Sequence, residues 1–307
     1  MKNIWMVILG LAAFACQENN DFITESGVEV ACVVKGDGEV FAKDSVLLLR
    51  LKVTTADDQI LIESGKDPMP LLYDPERPAG DIQEVLTNME VGDSVVFETS
   101  VENLYSETYQ TPIPDTLNAA DKVKVMMKAT DMMSRQAFQA YSMEQQQKAM
   151  ASQLTEDVEA IDAYLAEQGI DAQTTESGLR YVITDEGNGT FAQSGDSIYV
   201  NYAGKILEGA YFDTSIEEVA REQGIYNEQR AIQIGYNPFG FTVGRGQVIK
   251  GWDEGLLLIP EGGKGTLYIP SPLGYGARGS GPVIGPYSIL EFDVEVIKVS
   301  PQGTSVD

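Results

Sequence analysis

The sequence has no histidine, and only two of its 307 residues are cysteine. The lack of histidine excludes Ser-His-Asp triads, histidine general bases and histidine metal ligands. Two cysteines cannot build a disulfide framework. We also find no cluster of candidate metal ligands and no phosphate-binding glycine loop, so we predict neither a metal nor a cofactor.

Basic residues are scarce, with 21 Lys and Arg against 47 Asp and Glu, for a formal net charge of −26. Such a chain repels phosphates, so we expect no nucleic-acid partner. Long apolar runs are missing as well. The longest lies within residues 1–15 and is too short to span a bilayer as a stable helix.

The N-terminus has the pattern of a secretory signal peptide, residues 1–15, in which Lys2 precedes the apolar run. Ala13-Phe14-Ala15 reads as a small-x-small cleavage site before Cys16. The arrangement resembles a bacterial lipoprotein signal, although Ala13 stands where Leu is commonest. Two alternatives are open: lipidation of Cys16, with residues 16–26 as a polar tether, or secretion with a free Cys16. We favour lipidation, because a lone cysteine at this bond has no evident structural role. A lipid-anchored protein of the bacterial cell envelope is therefore expected, on the periplasmic face or cell surface of the outer membrane.

Two segments of the chain resemble each other, one from Glu25 and one from Glu176. Each begins with a Ser-Gly turn and a strand, followed by a Gly-x-Gly turn, Asp-Ser and a second strand. The pattern predicts two similar domains, residues 27–131 and 173–300, with a tail at 301–307. In this alignment Ile82 matches Trp252, Arg50 lies near Tyr202, and Leu61-Ile62 lies near Phe212-Asp213. The first domain thus lacks most of the aromatic residues of the second, and a spacer role and a binding or dimerisation role are both open.

Residues 132–172 are predicted to form a helical linker between the domains. Two helices fit, Met133–Leu154 and Thr155–Gln168, with Thr155 as the N-cap of the second and Gly169 as its C-cap. The Gln- and Met-rich first part fits a solvated spacer, and it also fits a helix that packs against a second copy of the chain. The second alternative would make the protein a homodimer, and both alternatives are open.

The stretch 238–258 combines a strand with a short helix. Phe239, Phe241 and Val243 alternate with small residues, which is typical of a half-buried strand. Val248, Ile249, Trp252 and Leu256 then follow at helical spacing. A buried tryptophan in an ordinary core helix is the plain interpretation, because aromatic residues at this spacing are usually core.

Several short motifs lie within and around this stretch. Their order along the chain identifies a family more specifically than any single motif does. The motifs are NYAGKI, YFDTS, PFGF, QVIKGW, PLGYGARG, PVIGP and ILEFDVEV. Together they resemble the FKBP-type peptidyl-prolyl isomerases, over about residues 174–299. The resemblance implies an α+β protein, in which each domain is an antiparallel sheet curled around a short helix.

The resemblance also implies roles for the residues in these motifs. Trp252, Asp213, Tyr275 and the backbone N–H of Ile249 take the catalytic positions, with Trp252 as the floor of a pocket for the proline ring. The substrate-binding residues are Tyr202, Phe212, Phe239, Val248, Val283, Ile284 and Phe292. We therefore expect isomerisation of X-Pro bonds in exported proteins, with proline-containing polypeptides as partners and macrolide inhibitors of this class as ligands. The alternative is an FKBP-fold binding module, chaperone or scaffold without catalysis.

An insertion of about twenty residues lies between Ser215 and Pro238, beside the predicted pocket. Ser215-Ile216-Glu217-Glu218 has the pattern of a capping box, and Gly224 is predicted to end the helix that follows. By resemblance, an arginine that pairs with Asp213 falls in this loop, and Arg230 is the candidate.

Overall fold

A computed structural model describes residues 20–36, 38–76 and 80–302. The predicted signal peptide and Cys16 lie outside these residues, as do the first residues of the tether and most of the tail. The chain divides into two compact units, Met1–Met143 and Glu144–Asp307. No helix in the described part of the chain combines the length and apolar character needed to cross a membrane.

The first unit is an antiparallel sheet around a short helix, α1 (Gly80–Leu86). Its strands run in the order β1-β2-β6-β7-β3-β4, and β5 pairs separately with β3. The strands are β1 (Phe22–Ile23), β2 (Glu29–Val34), β3 (Val46–Thr55), β4 (Ile60–Glu63), β5 (Met69–Leu72), β6 (Ser94–Ser100) and β7 (Lys122–Met133). A π-helix, Asn103–Thr108, follows β6. Alternate residues of β7, namely Val123, Val125, Met127 and Ala129, are buried in the same core cluster as the apolar residues of α1.

One continuous helix, α2 (Arg135–Gln168), follows β7, so the prediction of two helices is wrong. The segment contains no glycine or proline that would break a helix. Thr155 is not a cap, since its hydroxyl donates to the carbonyl of Ala151 one turn back, 3.1 Å away. The predicted C-cap is confirmed: Gly169 has a φ of +66°, and the amide of Ile170 donates to the carbonyl of Leu165.

The second unit repeats the architecture of the first around α5 (Lys250–Gly255). Its strands run in the order β8-β9-β13-β14-β10-β11, and β12 pairs separately with β10. They are β8 (Gln173–Thr174), β9 (Arg180–Asp185), β10 (Ser197–Ile206), β11 (Tyr211–Thr214), β12 (Phe239–Thr242), β13 (Lys264–Ile269) and β14 (Leu290–Ser300). Short 3-10 turns occupy Leu256–Leu258, Ser271–Leu273 and Gly276–Arg278. The α+β class, with two antiparallel sheets each holding a short helix, is confirmed.

The same side-chain contact joins the entry turn to the central helix in both units. In the second unit the Ser177 hydroxyl donates to the carboxylate of Glu254, at 2.9 and 2.7 Å from its two oxygens. In the first unit Ser26 donates to Glu84 through both its amide and its hydroxyl. The repeated Ser-Gly motif therefore holds the first long strand of each sheet against the helix.

The two glycines of α5 allow the helix to lie directly on the sheet. A Cβ on Gly251 would lie 2.5 Å from the side chain of Ile269, and one on Gly255 would lie 2.8 Å from Leu267. Both glycines therefore serve packing against β13, and this close approach holds Trp252 at a fixed depth in the core.

The insertion forms two short helices, α3 (Glu217–Glu222) and α4 (Glu228–Gln233). The predicted capping box is not formed, because the cap residue of α3 is Ile216 and it makes no side-chain cap. The Ser215 hydroxyl instead accepts from the amide of Tyr202 and donates to Asn201, so it ties the insertion to β10. Gly224, with a φ of +70°, follows the helix as predicted.

Candidate functional site

A cavity of about 270 Å³ lies between the sheet of the second unit and the start of α5. Nine of the eleven predicted site residues line it: Tyr202, Phe212, Asp213, Phe239, Val248, Ile249, Trp252, Tyr275 and Phe292. Gln247 is the tenth lining residue, and it was not predicted. Its side-chain oxygen accepts from the amide of Thr242 at 3.0 Å. Its place directly before Val248 in the QVIKGW motif was the available signal.

Four larger cavities, of about 690, 1090, 400 and 300 Å³, lie in the described part of the first unit. Among the residues that line these four cavities, the aromatic ones are Phe22 and Phe97, both in the cavity of about 1090 Å³. The smaller cavity of the second unit concentrates six aromatic side chains with a few polar groups. That composition is typical of a small-ligand or side-chain pocket, so we take it as the candidate site.

Trp252 forms the floor of this cavity and is 5% exposed. Its ring lies 5.1 Å from that of Tyr202 and 5.1 Å from that of Phe292, both edge to face. Phe239 closes one side, with its ring 6.3 Å from Trp252, and is partly exposed at the rim. Edge-to-face packing fixes each ring by its neighbours, so the floor is rigid before any ligand binds.

Gly204 in β10 makes room for two of these rings. A Cβ at this position would lie 2.5 Å from the ring of Phe292 and 2.8 Å from the ring of Phe212. A side chain at this position would therefore displace one wall of the cavity.

Asp213 is the centre of a hydrogen-bond network at the rim. Its Oδ2 accepts from the Tyr202 hydroxyl at 2.6 Å, and its Oδ1 accepts from the backbone amide of Thr214 at 2.9 Å. Oδ1 also accepts from the guanidinium of Arg230, so the predicted pairing of Arg230 with Asp213 is confirmed. Three donors thus fix the carboxylate in one orientation.

The electrostatics of this network keep Tyr202 neutral and Arg230 charged. Burial, together with the hydrogen bond to Asp213, raises the pKa of Tyr202 well above its usual range. Burial opposes the charge on Arg230, but the hydrogen bonds to Asp213 and Tyr202 outweigh it and raise the pKa of Arg230. Both groups therefore remain hydrogen-bond donors at neutral pH.

Among the donors at the cavity, the Ile249 amide and the Tyr275 hydroxyl have no partner within the described residues, and the buried indole Nε1 of Trp252 also has none. The Ile249 amide precedes α5 and donates to no described residue, while its carbonyl accepts from Trp252 and Asp253. The Tyr275 hydroxyl likewise makes no hydrogen bond there. Burial, and secondarily the charge of Asp213, raises the pKa of Tyr275, so the hydroxyl keeps its proton. A carbonyl that enters the cavity can accept from the Ile249 amide or the Tyr275 hydroxyl.

The insertion holds Arg230 through a stack of planar side chains. The Arg230 guanidinium lies 4.8 Å from the ring centre of Tyr236, which stacks on Tyr226 at 5.7 Å. The guanidinium of Arg221 covers the ring of Tyr226 at 3.6 Å. This stack was not predicted, because its members become neighbours only when α3 and α4 fold beside each other.

Val283 and Ile284, also predicted to contact substrate, do not line this cavity. Ile284 is buried in the core of the unit, whereas Val283 is 42% exposed. Their backbone turns back on itself, with the amide of Ser280 donating to the carbonyl of Ile284 at 2.8 Å. The turn therefore directs Ile284 inward and Val283 to solvent.

The strand register shows which residues of the first unit take the places of the site residues. Each pair of long strands has a bulge: Thr130 of β7 is the extra residue opposite Leu48 and Leu49 of β3, and Ile297 of β14 is the extra residue opposite Tyr199 and Val200 of β10. Counting from these bulges, Leu51 matches Tyr202, Val53 matches Gly204, and Val125 matches Phe292. Ile62, opposite Val53, matches Asp213, opposite Gly204, as the alignment predicted.

The first unit therefore has an aliphatic interior where the second has its aromatic cavity. The prediction that Arg50 stands near Tyr202 is off by one residue: Leu51 takes that place and is buried, while Arg50 is exposed. Ile82, matched to Trp252, is buried in α1. No acidic group takes the place of Asp213, because Ile62 is there.

In the described ranges, no group of three His, Cys, Asp or Glu residues is arranged to hold a metal ion. The polar groups of the cavity include the Asp213 network, the Ile249 amide, the Tyr275 hydroxyl, the indole N–H of Trp252 and Gln247. This set suits a neutral ligand that offers hydrogen-bond acceptors and an apolar ring.

Comparison with known proteins agrees with this geometry. The family model for FKBP-type peptidyl-prolyl cis-trans isomerases matches residues 188–297. A probable FKBP-type peptidyl-prolyl cis-trans isomerase of Haemophilus influenzae is 40% identical over 50% of this chain, and the match spans 56% of that relative's length. An FK506-binding protein of Neisseria meningitidis serogroup A is 46% identical over 37% of this chain and 89% of its own length. The FKBP-type 22 kDa peptidyl-prolyl cis-trans isomerase of Escherichia coli is 32% identical over 66% of this chain and 87% of its own length. The chain belongs to the FKBP-type peptidyl-prolyl cis-trans isomerase family.

Proposed function

We propose that the second unit catalyses cis–trans isomerisation of X-Pro peptide bonds. The observation that carries this proposal is the pair of unpartnered donors, the Ile249 amide and the Tyr275 hydroxyl, at the rim of an apolar cavity floored by Trp252. The floor accepts a pyrrolidine ring, and the donors hold the carbonyls on either side of it. The family membership of the chain supports the same reaction.

The reaction needs neither a metal nor a proton carrier. Rotation about the X-Pro bond requires loss of amide resonance, with a barrier of about 18–20 kcal/mol. No bond breaks, so the site must bind the twisted amide more tightly than either planar form. An acceleration of about a thousand- to a million-fold corresponds to about 4–8 kcal/mol of such preference.

The dry aromatic cavity supplies part of this preference. The planar amide is charge-separated by resonance and loses solvation in an apolar site, whereas the twisted form has less charge separation and loses less. Trp252, Phe292 and Tyr202 exclude water from the bond, and Phe212, Phe239 and Val248 hold the ring from the sides. The Asp213 carboxylate, fixed by its three donors, adds an oriented charge at the rim.

The test uses the purified full-length chain and a short peptide with one X-Pro bond. Trp252→Leu removes the floor, and we expect it to lower kcat/KM at least about ten-fold. Ile82→Val is the matched control, because it truncates the equivalent helix position of the first unit and leaves the cavity intact. An equal loss of kcat/KM in both variants, or no catalysis by the folded native chain, contradicts the proposal.

The first unit has a different role in this proposal. We infer that it is a degenerate copy of the isomerase unit that binds or spaces without catalysis. Its aliphatic interior, with Leu51, Ile82 and Val125 at the aromatic positions and Ile62 at the acidic position, favours this assignment. If a substitution abolishes catalysis by the second unit, the full-length chain should therefore show no remaining isomerase activity from the first unit.

The ligands of the cavity follow from the same chemistry. We propose proline-containing segments of exported envelope proteins as substrates, and macrolide inhibitors of the FKBP class as competitors for the cavity. The name of the Neisseria relative supports the second statement. Addition of FK506 should slow isomerisation and alter the fluorescence of Trp252.

We propose that the mature protein is lipid-anchored in the bacterial cell envelope through Cys16. The support is the sequence pattern of residues 1–16. The native chain expressed in a bacterium should acquire the mass of a lipid on Cys16 and partition with membranes. Cys16→Ala should abolish both, and an unmodified native Cys16 would contradict the anchor.

We propose that the first half of α2 supports a homodimer. From Arg135 to Ser152 its side chains are exposed or half-buried, including Met143 and Met150, which are 63% and 44% exposed. Sedimentation of the native chain should give a dimer that Met143→Glu with Met150→Glu dissociates. A monomeric native chain would contradict the homodimer, and the first half of α2 would then only connect the two units.

A further inference from the structure

Asp157, in the second half of α2, is a buried carboxylate that the proposed mechanism does not use. It is 3% exposed. Its Oδ1 accepts from the side-chain amide of Gln153 at 2.7 Å, and its Oδ2 accepts from the backbone amide of Ser271 at 2.7 Å. Because a buried carboxylate is costly unless it is hydrogen-bonded, these two contacts hold the helix and the loop together.

Ser271 begins the loop that carries Tyr275 to the cavity. It is completely buried and is the first residue of the 3-10 turn Ser271–Leu273. Its carbonyl accepts from the amide of Gly274 at 3.0 Å, so one residue connects Asp157 to the backbone just before Tyr275. Beyond it, Gly276 has a positive φ and the loop contains little other regular structure.

The same half of α2 is fastened to the second unit at a second point. Asp162 accepts two hydrogen bonds from the guanidinium of Arg180, both at 2.8 Å. Ile161 and Leu165 are buried beside Tyr268. These contacts reach β9 and β13, whereas Asp157 reaches the Tyr275 loop.

We propose that Asp157 is a positioning residue for Tyr275. Its carboxylate fixes the first amide of the loop, and the loop in turn holds the Tyr275 hydroxyl where it can donate to a substrate carbonyl. This inference rests on the proposed isomerase function and adds to it: a residue of the connecting helix, outside the segment matched by the family model (188–297), sets the geometry of the site.

The test is a double-mutant cycle on the full-length chain. Asp157→Ala and Tyr275→Phe should each lower kcat/KM about five-fold or more, and the double variant should lose little beyond the larger single loss. Asp157→Asn keeps an acceptor for the Ser271 amide and should restore most of the activity. If Asp157→Ala keeps native kcat/KM, or lowers it by the same factor in the Tyr275→Phe background, the proposal is wrong.

Asp162→Ala is the matched control, because it loosens the same helix without a contact to the loop. It should lower Tm and leave kcat/KM within about two-fold of native. If Asp162→Ala reduces kcat/KM as much as Asp157→Ala does, the effect belongs to the helix as a whole and the assignment of Asp157 fails.

Amide hydrogen exchange separates this inference from the proposed function. Asp157→Ala should accelerate exchange in residues 271–279 at least about ten-fold, whereas Asp162→Ala should not. This readout needs no catalysis, so it tests the positioning role even if the native chain does not isomerise X-Pro bonds. Equal exchange in both variants would overturn the role of Asp157 and leave the isomerase proposal untouched.

Discussion

The guanidinium of Arg230 donates to Oδ1 of Asp213 across the mouth of the aromatic cavity. Arg230 reaches this carboxylate from the insertion, while Asp213 lies in β11. The contact therefore connects a surface loop to the polar rim of the site.

Substitution of Arg230 by Met should weaken catalysis without unfolding the unit. Asp213 would keep its bonds from Tyr202 and Thr214 but lose its charged partner. Since both side chains are partly exposed, we expect a loss in kcat/KM of about three- to ten-fold. Steady-state kinetics with a short X-Pro peptide measure it.

Arg221→Met is the control for this substitution. Arg221 belongs to the same insertion, pairs with Glu217 and stacks on Tyr226, yet it does not touch Asp213. Its kcat/KM should stay within about two-fold of native. An equal loss in both variants would mean that the shape of the insertion matters and the ion pair does not.

Gly204→Ala should distort the wall of the cavity. The added Cβ meets the rings of Phe292 and Phe212, so one of them must move, at a cost of about 1–3 kcal/mol in unfolding free energy. We expect a lower Tm and a lower kcat/KM together. Gly65→Ala, where a Cβ meets nothing within 4 Å, should change neither by much. Native kinetics in Gly204→Ala would show that the walls adjust freely.

Activity should be independent of pH between about 6 and 9, because the chain has no histidine and the tyrosines at the cavity stay protonated. A bell-shaped profile in this range would contradict a mechanism without proton transfer.

Stability should fall at high pH. The pKa of Tyr202 is raised in the folded state, above its unfolded value of about 10. Its hydrogen bond to Asp213 therefore contributes fully below about pH 10, and the contribution is lost as pH rises through the folded pKa. Tyr202→Phe should reduce the slope of unfolding free energy against pH above 10. An unchanged slope would mean that other tyrosines cause the whole decline.

The aromatic cavity was predictable through the resemblance of the ordered motifs to the FKBP family, and each motif carries its residues on a short, regular element. Tyr202, Asp213, Trp252 and Phe292 lie on strands or on the central helix, where period and spacing fix the direction of a side chain. The fold was implied by the resemblance to FKBP-type isomerases, and the strand alternation agrees with it.

The errors arose where a local pattern competes with a tertiary contact. Ser215 has the sequence of a cap, but it binds Asn201 and Tyr202 instead. Thr155 also reads as a cap, yet the helix continues through it. The match of Arg50 to Tyr202 is off by one residue, and in a strand a shift of one moves a side chain to the opposite face. The stack around Tyr236 and the contact of Asp157 with Ser271 join residues that no sequence pattern brings together.

The most direct test of the account is the rate of cis–trans exchange in an X-Pro peptide mixed with the native full-length chain, followed by exchange NMR. The uncatalysed reaction takes tens of seconds or more, so catalysis is readily seen. The account predicts exchange that accelerates in proportion to the protein concentration and falls in Trp252→Leu. An uncatalysed rate in the presence of the folded native chain would contradict the central claim and leave an FKBP-fold binding module.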